Sequence, residues 1–248
     1  MVRGFYKLGT GVMSQNKALS TIANNIANAE TTGYKKQTVV TESFGNMMIT
    51  RVKSMNSGAG VQLGGNSMIR TVSETASIHT QGVLKETGRN LDVAIVGEGF
   101  FALQTGDGVA YTRKGDFNVD EDGYLTQGDS GRVMGQNGPI RVGTDNVQFD
   151  SNGNVYANGQ VVDRLATYTF ADYKQLVPIQ DGYYKSNGGV QQINAQVRGE
   201  TLEGSNVDMA QELTNAIAAQ RELQAQSQVL KMYDTVLQKA TTEIGKLN

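Results

Sequence analysis

Cysteine is absent from the 248 residues, and histidine occurs once, at His79. A disulfide scaffold, a thiol nucleophile, a CxxC redox pair and a Cys/His zinc site are thereby excluded. Tryptophan is also missing, and proline occurs only twice. Neither sign of charge dominates. The 22 Lys and Arg against 24 Asp and Glu leave a net charge of -2, without the basic stripe of a general phosphate-backbone binder. No apolar run approaches the roughly 18 residues that a membrane-spanning helix needs. The opening MVRGFYKLGTGVMSQNK lacks the apolar segment and cleavage site of a signal peptide, which predicts that Sec export is not used. Glycine, by contrast, is abundant at 30 residues, well above the usual share of about 7%. At about 150 residues per domain, the length allows one or two domains.

Helical periodicity stands at both ends of the chain. From Arg3 to Asn28 the apolar residues are Phe5, Leu8, Val12, Leu19, Ile22 and Ile26, with Gln15 in the one gap. Their steps alternate three and four, which is a heptad seam. Gly4, Gly9 and Gly11 weaken the first half of this helix until it packs on a partner. Gly33 is placed to end the helix as a left-handed cap. From Ser205 to Ile244 no glycine or proline intervenes, and Ser205 or Asn206 is placed to cap the start. Here Met209, Ala216, Leu223, Leu230, Leu237 and Ile244 recur every seventh residue, with Glu212, Ala219, Gln226, Tyr233 and Ala240 as companions. That pattern predicts about 40 residues of helix, roughly 60 Å long. The shorter first helix cannot cover it, so apolar seam is left for other subunits and self-association is expected.

Between the helices the pattern changes twice. Residues 31–76 hold Asn56-Ser57-Gly58-Ala59-Gly60 and Gly64-Gly65-Asn66 among Ser, Thr, Met and Val, which predicts an extended connector with one or two short strands. From Ser77 to Glu203 the period is two. Leu91 to Val96, Phe100 to Gln104 and Gln160 to Val162 have strand character. Gly106-Asp107-Gly108, Asp122-Gly123, Asn137-Gly138, Asn152-Gly153 and Asn158-Gly159 are hairpin turn signals. The expected fold is therefore α+β: a discontinuous terminal coiled-coil domain (1–30 with 205–248), a connector (31–76), and an inserted, mainly antiparallel β domain (77–204).

Few motifs invite chemistry. Gly97-Glu98-Gly99-Phe100-Phe101-Ala102 matches the dinucleotide fingerprint, but that motif needs a helix opening at its glycines, and Phe100 onward reads as a strand. Asp116 to Gly123 begins like a calcium loop but holds Glu121 where the sixth-position glycine belongs and Gln127 where the bidentate glutamate belongs, so an acidic turn is expected. His79 has no Cys or second His to share a metal with and is expected as a surface or strand residue. Met47, Met48 and Met55 fit either an adaptable contact surface or ordinary packing. Asn24, Asn25 and Asn28 beside the seam fit hydrogen bonding to neighbouring chains or a polar outer face.

Four segments resemble the flagellar rod and hook axial proteins. They are Ala23 to Lys35, with Asn24, Asn25, Asn28, Gly33 and Tyr34; Leu91 to Phe101, with Asp92, Gly97, Gly99, Phe100 and Phe101; Tyr111 to Phe117, with Gly115; and Glu203 to Asp208, with Ser205, Asn206 and Val207. They occur in the family's order and span nearly the whole chain. The resemblance implies a structural subunit of the bacterial flagellar basal body that is not an enzyme and needs no cofactor or metal. It implies export through the flagellar type III apparatus, assembly into a homo-polymer, and contact with other rod and hook proteins. The polymer would be the helical, tubular drive shaft from motor to hook. Length and motif content fit the proximal and distal rod members, and Leu202 to Asn206 with Gly138 to Ile140 lean towards the proximal one. A hook protein, a secreted β-rich binding module with an oligomerising helix, and an enzyme with a carboxylate pocket stay open as alternatives.

Overall fold

A computed structural model describes residues 2–51, 61–128, 130–180 and 182–245, and side chains within them except at 2–6, 42–51, 61–73, 180, 244 and 245. The Asn56–Gly60 turn signal and Met55 lie outside the described residues, as do the side chains of Phe5, Met47, Met48 and Ile244. The fold is α+β, and its residue contacts divide into two compact units.

The first unit comprises residues 1–26, 37–76 and 209–248. Helix α1 spans Val2–Ala27 and is continuous through its three glycines. It ends at Ala27, earlier than a cap at Gly33 requires. The turn that follows is closed by the Thr31 amide on the Asn28 carbonyl and by the Tyr34 amide on the Thr31 carbonyl. Strands β1 (Gln37–Arg51) and β2 (Val61–Ser77) pair with each other. These long strands replace the short ones expected of the connector, and Gly64-Gly65-Asn66 lies inside β2. Strand pairing satisfies the backbone hydrogen bonds that the glycines alone would have left to a turn.

The second unit comprises residues 27–36 and 77–208. After β3 (Leu84–Glu86), β4 (Val93–Val96), β5 (Phe100–Thr105) and β6 (Gly108–Thr112), short strands follow one another to Glu203, and every described pairing in this unit is antiparallel. The turn signals fall at strand junctions. Strand β5 organises the main sheet. Along one edge it pairs with β6; along the other its first half pairs with Thr167–Phe170 and its second half with Arg132–Gly135. Successive side chains of a strand point to opposite faces. Phe101 and Leu103 therefore enter one apolar cluster with Ile95, Phe117 and Leu125, while Phe100 and Ala102 enter another with Tyr111, Phe170 and Tyr184. The Gly97–Ala102 fingerprint is a turn feeding this strand, with no helix N-terminus for a pyrophosphate. Helix α2 (Met209–Gly245) closes the chain.

Candidate functional site

In the first unit, polar and small residues of α1 and α2 touch. The Asn25 side chain is 1% exposed. Its Nδ2 donates to the Gln37 carbonyl at 2.8 Å and to Glu212 Oε2 at 3.1 Å, and its Oδ1 accepts from the Gln37 amide at 2.9 Å. Gln15 Nε2 donates to the Ala219 carbonyl at 3.5 Å. Gly11 lies so close to Gln226 that an added Cβ would be 3.3 Å from its Oε1. Contacts that descend along α1 while they ascend along α2 make the pair antiparallel. The most buried residues of α2 are Glu212 and Ala219, seven apart and both from the companion register.

The apolar seam itself is less covered. Leu8, Val12, Leu19, Ile22 and Ile26 on α1, and Ala216, Leu223, Leu230 and Tyr233 on α2, are half-buried. Met209 and Leu237 are 43% and 37% exposed. Leu213 and Ile217 add further exposed apolar surface. Of the three asparagines, Asn25 bonds inside its own chain, Asn28 accepts from the Thr31 hydroxyl at 3.1 Å, and Asn24 is half-buried.

In the second unit a buried charge cluster joins segments far apart in sequence. Glu203, 1% exposed, receives three donors on its carboxylate: Lys35 Nζ at 2.5 Å, the Gly82 amide at 2.9 Å and an Arg113 guanidinium nitrogen at 3.1 Å. Lys35 also donates to the Thr80 carbonyl at 2.7 Å, and Arg113 to the Gly97 carbonyl at 2.8 Å. Burial pushes the Lys35 ammonium below the ordinary lysine range; Glu203 pulls it back up in part, and nearby Arg113 pushes it down further. Buried charges are tolerated when paired, as here, although Arg113 Nε is buried without a hydrogen-bond partner.

The remaining motif residues lie in the same unit. Gly33, at φ +65°, lies against the Lys114 backbone, where a Cβ would be 2.6 Å from the amide nitrogen, and its own amide donates to the Glu203 carbonyl at 2.7 Å. Its left-handed conformation thus serves this close approach and not the helix cap. Tyr34, Phe100 and Phe101 are buried. Asp92 accepts from Arg89 at 3.2 Å, Gly97 donates its amide to Gln81 Oε1 at 3.1 Å, and Gly99 packs near Ile193 and Ala195. At Gly115 a Cβ would fall 1.6 Å from the Val93 carbonyl oxygen.

Ser205 and Asn206 precede α2 without capping it as expected. Ser205 Oγ accepts from the Val207 amide at 3.3 Å. Asn206 Oδ1 accepts from the Lys36 amide at 2.7 Å, while its Nδ2 donates to the carbonyls of Ile78 and Thr80 at 2.8 and 3.1 Å. These longer-range bonds take the side chain away from the helix start, which falls at Met209. Val207 is half-buried.

His79 is half-buried and lies outside the strands. Its ring stacks on Tyr173 at 5.0 Å and meets Tyr184 and Phe100 edgewise at 5.2 and 5.5 Å. The acidic turn is a hydrogen-bonded and ion-paired structure: Arg132 bridges Asp120 and Asp122, and Asp116 accepts from Thr32 and Gln127. Among the described residues no three His, Asp or Glu group into a metal site, and no helix is long and apolar enough to cross a membrane. Sequence reasoning missed Lys35, Arg113 and Glu203 as a unit. Each sat in a recognised segment, but no local pattern links positions so far apart.

Comparison with known proteins agrees with these segments. Residues 5–35 match the family of flagella basal body rod proteins, 94–157 the D1 domain of the flagellar hook protein FlgE/F/G family, and 198–243 the C-terminal region of the flagellar basal body rod FlgEFG proteins. The chain is 34% identical to the flagellar basal-body rod protein FlgG of Bacillus subtilis, over 96% of this chain and 97% of that one. It is 34% identical to FlgG of Agrobacterium fabrum, over 91% and 93%. To the flagellar basal-body rod protein FlgF of Caulobacter vibrioides it is 29% identical, over 95% of each.

Proposed function

This chain belongs to the flagellar basal-body rod proteins, structural subunits of the flagellar basal body, and we propose that it works by polymerising with copies of itself through the seams of its two terminal helices. The helices form a discontinuous coiled-coil domain (1–30 with 205–248) that lines a tube. Turning that tube transmits torque from motor to hook. No catalytic centre, cofactor or metal enters this work. Its partners are further copies of this chain, other rod and hook proteins, and the flagellar type III export apparatus.

One observation carries the reading. The contact between α1 and α2 within one subunit uses Asn25, Gln15, Gly11, Glu212 and Ala219, while the apolar seam stays half-buried or exposed. Apolar area left in water is a standing drive toward association, worth about 25 cal/mol per Å² once covered. A head-to-tail contact whose rotation does not close builds a helical polymer. The rod reading is also favoured over a secreted binding module because likeness to the rod relatives extends over the first helix, which such a module would not need.

The test is analytical ultracentrifugation of the full chain across a concentration series. Polymer growth with concentration is the expected result. A monomer that persists at every concentration, in both low and moderate salt, would overturn the proposal.

A further inference from the structure

The single histidine stands beside the buried charge cluster without bonding to it. Phe100 is shared between them: the His79 ring meets it at 5.5 Å, and the Arg113 guanidinium lies 5.2 Å from its centroid. Thr80, the next residue, gives its carbonyl to Lys35. His79 Nδ1 is buried and has no hydrogen-bond partner. The groups facing the ring are thus the phenols of Tyr173 and Tyr184, the Phe100 ring, and the cations Lys35 and Arg113, which share the one carboxylate of Glu203.

We propose that His79 makes the Lys35–Glu203–Arg113 cluster an acid-sensitive latch that ties residues 33–36, 78–82 and 203–206 together at neutral pH and lets them part when the ring is protonated. With the ring neutral, two cations face one carboxylate. A proton on the imidazole adds a third cation and a second N–H with no acceptor. The aromatic faces work the other way, since they attract cations. Burial, helped by Lys35 and Arg113, outweighs them, and the His79 pKa is pushed down to about 4 from its ordinary 6.5. The unfolded or opened chain therefore takes up a proton before the closed one does. Stability of the closed state is full above the open-state value and falls as pH drops from about 6.5 to about 4.

The latch has built-in reporters. The Gly33 amide donates to the Glu203 carbonyl, and the Gly82 amide donates to the Glu203 carboxylate. Hydrogen exchange of the full chain, corrected for the intrinsic pH dependence, is measured from pH 7 to 4 on peptides covering these amides and on β5 as reference. The expected result is a loss of protection of about tenfold or more at Gly33 and Gly82 while β5 stays protected, a size that follows from moving one proton equilibrium by a unit or more. The variants His79→Phe and His79→Gln, which cannot take the proton, should keep protection. Either variant suffices if the other fails to fold. Equal acid loss in wild type and both variants would mean that the ring of His79 is not what opens the cluster, and overturns the proposal. No selective loss at Gly33 and Gly82 overturns it too. Because the chain has one histidine, its ring Cε1–H resonance is a single NMR signal. A midpoint near 4 fits the latch, and one near 6.5 contradicts it.

Discussion

The ammonium of Lys35 and the carboxylate of Glu203 meet at 2.5 Å, with neither side chain exposed, across 168 positions of sequence. One residue follows the first helix and the other precedes the second, so the pair closes the β-rich unit with its own flanks. Removing one partner from a buried pair leaves a bare charge behind, and that costs far more than the pair is worth intact. Glu203→Gln, which strands both Lys35 and Arg113, should destabilise the unit by about 3–5 kcal/mol in urea unfolding. Lys35→Met should cost less, because Arg113 still neutralises Glu203. The reverse order would show that the carboxylate is not the centre of the cluster.

Asn25 joins α1 to both β1 and α2. Asn25→Ala should cost about 2–3 kcal/mol, from several hydrogen bonds near 1 kcal/mol each and a buried Glu212 left short of a donor. Asn25→Asp is the sharper variant. It sets a second carboxylate about where Nδ2 now lies 3.1 Å from Glu212, and like charges so close cannot both ionise. Its stability deficit should be large at pH 7 and should shrink toward pH 4, where the two acids share a proton. A deficit independent of pH, read from thermal melts, would contradict this.

Gly115 packs where no Cβ fits: the added atom would lie 1.6 Å from the Val93 carbonyl oxygen, and that residue's amide donates to the Gly115 carbonyl at 3.0 Å. Gly115→Ala should therefore cost at least about 3 kcal/mol through forced backbone movement. Gly106 has nothing within 4 Å of its would-be Cβ, and Gly106→Ala should leave the melting temperature almost unchanged. Calorimetry on the two variants separates close packing from a general need for glycine.

Leu230 is only half-buried within the subunit. In the monomer, Leu230→Ala should cost about 1 kcal/mol, well under the 2–5 kcal/mol of a fully buried leucine. In the proposed polymer the loss would recur at every subunit, so sedimentation should show assembly blocked or its threshold concentration raised by an order of magnitude or more. Unchanged assembly would remove Leu230 from the seam.

Much of this was legible in the residues. Heptad spacing placed both helices within a few residues of their ends, and Asn-Gly and Asp-Gly pairs placed hairpin turns, because these signals are local: a helix repeats over seven residues and a turn over four. Boundaries went astray where a distant partner intervened. Gly33 looked like a helix cap but is required by the Lys114 backbone. Asn206 looked like a cap but holds Lys36, Ile78 and Thr80. The connector was expected to be extended with one or two short strands, yet β1 and β2 are long and pair along it, since each strand supplies the hydrogen-bond partners that the other lacks. The seam was expected to join the termini to each other and to further subunits; within the subunit the most buried positions of α2 are Glu212 and Ala219, two of its companion positions.

The sequence by itself determined the class of protein: the α+β fold, the helices at both ends, the strand-and-turn middle, and the motifs that align with rod proteins. All of these depend on the order of neighbouring side chains, where local sterics and periodic burial act. Only the tertiary structure decided that Lys35, Arg113 and Glu203 share one buried site, that His79 sits in an aromatic cage beside it, and that Asn25 bonds within its own chain. Those outcomes depend on charges and polar groups brought together from remote segments. In a low-dielectric interior each such group must find its partner, and one-dimensional order does not say which partner it finds.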